Sequence, residues 1–186
     1  MANPAPDKAT ARAVLLRARA ERMPEPDEDA RRTAALLALA EPGTTVAAYV
    51  SFGTEPSTLG ALDGWRRSGV RVLLPVVLPD RDLEFRVYDG ALVPGRLGAS
   101  TPPPDAPVAD LGEAAVVVVP ALAADRTGGR LGRGAGSYDR ALARLSDDTL
   151  TVAVVHPEEL WPVVPTEDHD RRVRAVLAGH ELVRCR

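Results

Sequence analysis

Two rhythms alternate along the chain: a helical spacing of apolar residues, and short runs that are apolar at nearly every position. From Lys8 to about Met23, Ala11, Val14, Leu15 and Ala18 recur on one helical face, with Asp7 placed to cap the first turn. Pro24 and Pro26 end that helix, and a second starts near Asp27, burying Ala34, Ala35, Leu36 and Leu39 before Pro42 and Gly43. Thr45 to Val50 reads as a short buried strand. The segment SFGTEPS then leads into a helix from about Ser57 to Ser68, with Pro56 suited to its first turn and Trp65 in the core.

Val70 to Leu74 reads as the next strand, followed by a turn at Pro79 to Asp82 and an alternating strand, Leu83 to Val87. Glycine, proline and small residues from Asp89 to Pro107 predict a long surface loop. Ala114 to Val119 is the near-continuous apolar strand of a sheet buried on both faces, and it leads through a turn-rich Pro120 to Gly129 into RLGRGAGSYD. A helix from Ser137 to Leu145 and strands at Leu150 to Val155, Val173 to Leu177 and Glu181 to Cys185 complete the reading. Such alternation predicts an α/β fold in three layers, a mostly parallel sheet with helices on both faces. Loops at the carboxyl ends of parallel strands share one rim. Glu55, the glycine-rich stretch and the run EDHD, Glu167 to Asp170, are therefore expected to meet there.

Composition narrows the class. The 186 residues are 45% hydrophobic and 26% charged, enough for a single domain over 1–186 and short for two. A net charge of −3 argues against a nucleic-acid partner, since phosphate backbones select basic faces. The lone Cys185 allows no internal disulfide and no cysteine-rich metal site, which suits a reducing cytoplasm. No apolar run approaches the roughly 20 residues of a membrane span, and the first residues lack the apolar core of a leader. An unprocessed cytoplasmic protein without membrane contact is expected.

The candidate chemistry centres on Arg130 to Asp139. Gly132, Gly134 and Gly136 alternate with Arg133 and Ala135, so successive amides are free to point into one hollow that receives an anion. Arg130 and Arg133 add planar positive charge, and Asp139 is a hard oxygen ligand suited to magnesium. A Walker phosphate loop would need Lys then Ser or Thr after its last glycine, and a dinucleotide fingerprint would need glycine at Ser137. Neither fits; a plain glycine-rich turn is the alternative, against which the arginines and the acid weigh. Lys8, Arg12, Arg19 and Arg22 share one arc of the first helix, either as a solvated face or with Lys8 and Arg12 reaching a phosphate. Glu55 is either a ligand contact or a charge favoured at a helix N-terminus. Tyr138 either lines a pocket or packs in the core. His156 and His169 lie far apart with no cysteine, and no metal or acid–base role is assigned to them. The basic run Arg171 to Arg174 reads as surface.

These residues resemble the 5-formyltetrahydrofolate cyclo-ligase family, also called methenyltetrahydrofolate synthetase, over nearly the whole chain. The matching features are Lys8 with Arg12 four residues on, Val50 followed by Glu55, and Pro120, Asp125 and Gly128 or Gly129 leading into Arg130 to Asp139; Pro165 with His169 and Asp170 completes the set. Ser137 stands where the family commonly has an aromatic, and Gly98 to Pro102 depart from its usual loop. The resemblance implies a fold like that of NagB, RpiA and CoA transferases. It also implies cyclisation of 5-formyltetrahydrofolate to 5,10-methenyltetrahydrofolate with ATP as co-substrate and Mg²⁺ as cofactor, ADP and phosphate leaving, through a phosphorylated formyl group. It assigns ATP to Lys8, Arg12, Arg130, Leu131, Gly132, Arg133, Gly134, Ala135, Gly136, Ser137 and Tyr138, and the folate to Val50, Glu55 and Arg133 through Ser137. Arg130, Arg133 and Tyr138 become the catalytic residues, Asp139 and Asp170 the metal ligands, and a monomer or weak dimer the state. The rival readings are an ATP-dependent ligase or kinase acting on another small heterocycle, and a non-catalytic nucleotide sensor.

Overall fold

The structure, a computed structural model, describes residues 7–186. Its first elements are helices α1 (Lys8–Glu21) and α2 (Glu28–Leu37), strand β1 (Thr45–Ala47), helix α3 (Leu59–Arg67) and strands β2 (Arg71–Val77) and β3 (Leu83–Val87). Short strands β4 (Val93–Pro94), β5 (Ser100–Thr101) and β6 (Val108–Ala109) follow, then β7 (Val116–Pro120), β8 (Ala123–Asp125) and β9 (Arg130–Leu131). Helix α4 (Ser137–Leu142) and strands β10 (Leu150–Val155), β11 (Leu160–Trp161), β12 (Ala175–Ala178) and β13 (Glu181–Arg184) complete it.

The central sheet has eight strands in the order β13-β12-β10-β7-β1-β2-β3-β6. The run from β12 to β2 is parallel, and antiparallel β13, β3 and β6 close its margins. Because a strand sends successive side chains to opposite faces, each apolar run divides between two cores. Val116, Val118, Val152, Val154 and Leu177 pack with Leu36, Leu62 and Trp65 of α2 and α3. Val117, Val119, Ala153, Val155 and Val176 pack with Phe85, Leu111 and with Ala141 and Leu142 of α4. The expected covering of both faces is thus present, at about 1.5–3 kcal/mol for each large apolar side chain buried. Gly60 and Gly64 let α3 approach α2: a Cβ at either would stand 2.7 Å from Thr33 or Leu37.

The departures from expectation have local causes. The segment expected as turns, Pro120 to Gly129, contains β8, which pairs with β9 and β11 in a separate three-stranded sheet. Its strands are too short to show a period, and Asp125 organises the hairpin instead. That buried carboxylate accepts from the amides of Thr127, Gly129 and Val164 and from the Thr127 hydroxyl. Helix α1 lies on this small sheet through Ala11 and Leu15, while Val14 is 57% exposed and Ala18 faces solvent. The third buried residue of its stripe is Arg19, not an apolar one. In α2 the buried positions are Glu28, Arg32 and Leu36, and Ala34 is exposed. Strand β1 ends at Ala47 rather than Val50, β2 runs on to Val77, and α4 stops at Leu142 rather than Leu145. The loop at 89–107 carries the β4–β5 hairpin, which Thr101 ties to Pro75 O at 2.9 Å. Among the described residues, no helix is long and apolar enough to cross a membrane.

Candidate active site

The carboxyl ends of the parallel strands bring together what the chain separates. From the loop after β1, Glu55 reaches Arg133: Arg133 Nε donates to Glu55 Oε1 at 3.3 Å. The Arg133 guanidinium also lies 5.0 Å from the centre of the Phe52 ring, within cation–π range. Phe52 in turn donates its amide to Glu55 Oε2 at 3.3 Å. The Glu55 side chain is 5% exposed against 45% for that of Arg133, so a buried acid faces a half-exposed cation. Burial pushes the Glu55 carboxyl up from its ordinary range, opposed by the Phe52 amide and Arg133.

Helix α1 supplies the next cation. Arg12 Nε donates to Gly132 O at 2.9 Å, and a Cβ on Gly134, whose φ is +98°, would stand 3.3 Å from the Arg12 guanidinium carbon. Glycine therefore allows this close approach as well as the left-handed backbone. Among the described residues, none accepts a hydrogen bond from the amides of Gly132 through Gly136. Those donors remain available on the surface of the stretch.

Arg130 stands behind it, 6% exposed, with Nη2 donating to Asp139 Oδ1 at 2.6 Å and Nε buried without a partner among the described residues. Burial lowers the pKa of this guanidinium, opposed by the charges of Asp139 and Asp170. Asp139 Oδ1 also accepts from the Arg171 amide at 3.0 Å. Asp170 Oδ2 accepts from Lys8 Nζ and from the Glu167 amide, both at 2.6 Å. Burial would raise the Asp170 carboxyl, but Lys8 and the Glu167 amide outweigh it and hold the pKa below its usual value. Among the described residues, three of the four cations thus face carboxylates, whereas Arg12 faces a neutral carbonyl.

Among the described residues, no group of three or more His, Cys, Asp or Glu is arranged to hold a metal. Mg²⁺ needs fewer, because it keeps several waters and takes one or two carboxylates beside phosphate oxygens. Asp139 and Asp170 fit that modest demand: the hydrogen bonds just described fall on a single oxygen of each.

A family model described as "5-formyltetrahydrofolate cyclo-ligase family" matches residues 4–179. This chain belongs to that family. A 5-formyltetrahydrofolate cyclo-ligase of Mycolicibacterium smegmatis is 44% identical over 142 residues, covering 73% of each chain. One from Escherichia coli K12 is 35% identical over 139 residues, covering 72% of this chain and 76% of that one. A solved 5,10-methenyltetrahydrofolate synthetase from Aquifex aeolicus superimposes with a TM-score of 0.77 at 22% identity, covering 96% and 93% of the two chains. That likeness shows the shared fold.

Several residues expected in the site have side chains that are buried or already engaged. Leu131 and Val50 are buried in the cores. The Ser137 hydroxyl donates to Arg81 O at 2.5 Å, in the turn between β2 and β3, so its side chain is already engaged. Tyr138 packs against both cores, and burial raises its pKa, keeping the phenol protonated. Of the arc on α1, read as either a solvated face or a phosphate contact by Lys8 and Arg12, Arg19 and Arg22 are not solvated: Arg19 pairs with Glu159, and Arg22 with Glu28 and Glu158. Phe52 and the partners of His156 were not foreseen. Phe52 sits in a loop without periodicity, and the one available signal was its position three residues before Glu55.

Proposed function

We propose that the protein closes 5-formyltetrahydrofolate to 5,10-methenyltetrahydrofolate at the expense of ATP, releasing ADP and phosphate. The observation that carries this reading is the meeting at one rim of the unpaired amides of 132–136, Arg12 laid on them, and the Arg133–Glu55 pair. Phosphoryl transfer asks chiefly for positioning and for positive charge around the phosphate oxygens. In this reading the amides and Arg12 receive the terminal phosphates, with Lys8 and Arg130 adding positive charge. Phe52, Glu55 and Arg133 face the folate, the stacked ring and guanidinium giving a flat surface to a heterocycle. The long family signature and the three-layer parallel sheet likewise support a single domain of the NagB, RpiA and CoA-transferase type.

The formyl oxygen attacks the γ-phosphorus and the bond to ADP breaks. N10 then adds to the formyl carbon, the carbon–oxygen bond breaks to release phosphate, and the N10 proton is lost to solvent. Arg133, half exposed, is the cation placed to meet the charge on the transferred group, and its bond to Glu55 orients it. Tyr138 stays a hydroxyl donor rather than a base. Asp139 and Asp170 would hold Mg²⁺, which supplies positive charge to the phosphate oxygens when bound. The deciding experiment follows methenyl product spectroscopically with 5-formyltetrahydrofolate, ATP and Mg²⁺. Product that appears only with ATP supports the reading; product without ATP, or none with it, overturns it.

A further inference from the structure

His156 lies outside the site just described, yet it touches the loop that carries Phe52 and Glu55. The ring follows β10 and is 6% exposed. Its Nε2 donates to Thr54 O at 3.1 Å, and its Nδ1 faces Glu28 Oε1 of α2 at 3.2 Å. A carbonyl only accepts, so the contact with Thr54 O takes its proton from Nε2. Glu28, held at about 2 because pairing with Arg22, the Glu25 amide and His156 outweighs its burial, stays ionised. Its oxygens also meet Arg22 at 2.6 Å and Arg32. The His156 amide donates to Glu159 Oε2 at 2.8 Å, and Glu159 is gripped by Arg19 through two bonds of 2.5 and 2.7 Å.

The Glu55 loop needs such a tether. Its base is closed by Ser51 and Thr58, whose side chains and amides exchange bonds of 3.2 and 3.0 Å. Beyond that base, and among the described residues, Phe52 and Glu55 bond only to each other and to Arg133, and Pro56 O to Tyr49. The bond from His156 joins the tip to the hydrogen-bonded cluster of α1, α2 and the turn after β10.

We propose that His156 is a positioning residue for the folate side of the site, acting through Thr54 O to fix Phe52 and Glu55 opposite Arg133. This deepens the reading above and rests on Glu55 facing the folate. The two ring contacts separate by substitution, because a glutamine amide reaches where Nε2 stands and an asparagine amide where Nδ1 stands. His156→Gln keeps the bond to Thr54; His156→Asn keeps only the one to Glu28. The KM for 5-formyltetrahydrofolate and that for ATP are measured for both, with Glu55→Gln alongside and thermal unfolding to confirm a folded state. Loss of one buried hydrogen bond corresponds to about a tenfold change. The expected result is a folate KM raised about tenfold in His156→Asn and within about twofold of wild type in His156→Gln, with the ATP KM unmoved in both. If the asparagine variant does not fold, His156→Ser, too short to reach Thr54, takes its place with the same expected rise. Equal losses in the glutamine and asparagine variants, or a rise in ATP KM alongside, mark a merely structural role and overturn the proposal. A tenfold rise in the glutamine variant overturns it whichever of the others folds. If Glu55→Gln leaves the folate KM unchanged, the underlying assignment of Glu55 fails; if only Glu55→Gln raises it, the failure is confined to His156.

Discussion

Arg12 and Gly132 are 120 residues apart in sequence, yet Arg12 Nε donates to Gly132 O at 2.9 Å. The bond sets the guanidinium beside Gly134, and among the described residues no carboxylate pairs with it, so in the proposed reading it is the cation laid along the phosphate-binding amides. Arg12→Ala is expected to raise the KM for ATP about tenfold while moving the folate KM less than twofold, by analogy with loss of one charged hydrogen bond. Initial rates with each substrate varied in turn check this. An effect confined to the folate would contradict it.

Arg133 and Glu55 make contrasting demands. Their ground-state bond is long and its cation half exposed, so it contributes less than about 1 kcal/mol to folding. If Arg133 follows the transferred phosphoryl group, however, removing it costs on the order of 10²-fold in kcat, as for other groups aimed at developing charge. Arg133→Ala should therefore unfold at nearly the wild-type temperature while losing most turnover, as calorimetry and a rate assay would show.

Asp139→Asn keeps the shape of the side chain and removes its charge. The half-saturating Mg²⁺ concentration is expected to rise several-fold, because this ion takes only one or two carboxylates from the protein. An unchanged magnesium titration would place the metal elsewhere.

The Arg19–Glu159 pair has the opposite character from Arg133–Glu55. Its side chains are 2% and 4% exposed, so removing one partner leaves the other buried and unpaired. Glu159→Gln is expected to destabilise the fold by about 3–5 kcal/mol. Replacing both residues by apolar side chains of similar size should cost less than either single change. Urea denaturation of the three variants tests that order.

Stability should also fall on the acid side through Glu28. Its folded-state pKa is depressed from 4.5 to about 2, so its contribution is fully present above pH 4.5 and is lost as pH falls through about 2. Across that window the urea midpoint of wild type should drop more steeply than that of Glu28→Gln. Parallel curves would contradict the assignment.

The sequence made the two-faced sheet legible because its strands are long enough to show apolar runs: Leu83–Val87 and Leu150–Val155 were read with their observed bounds. The glycine-rich stretch was legible because left-handed backbone leaves a mark in residue type, as at Gly134 and Gly136. What stayed hidden depends on partners far away. Arg19 occupies a position that periodicity reserves for an apolar residue, and only Glu159 across the fold explains it. Strands β8, β9 and β11 have two or three residues each and leave no period to find. The helix expected after the glycines is one turn shorter because its last residues bond in a tighter pattern, with Leu145 N to Leu142 O at 3.2 Å.

The central claim is that the folate formyl oxygen is activated by transfer of the γ-phosphoryl group at this rim. Its most direct test uses 5-formyltetrahydrofolate labelled with oxygen-18 in the formyl group, with mass analysis of the phosphate after complete conversion. The account predicts that each phosphate carries the label, because the carbon–oxygen bond breaks after the phosphorus–oxygen bond has formed. Unlabelled phosphate, with the oxygen-18 released into water, would contradict it.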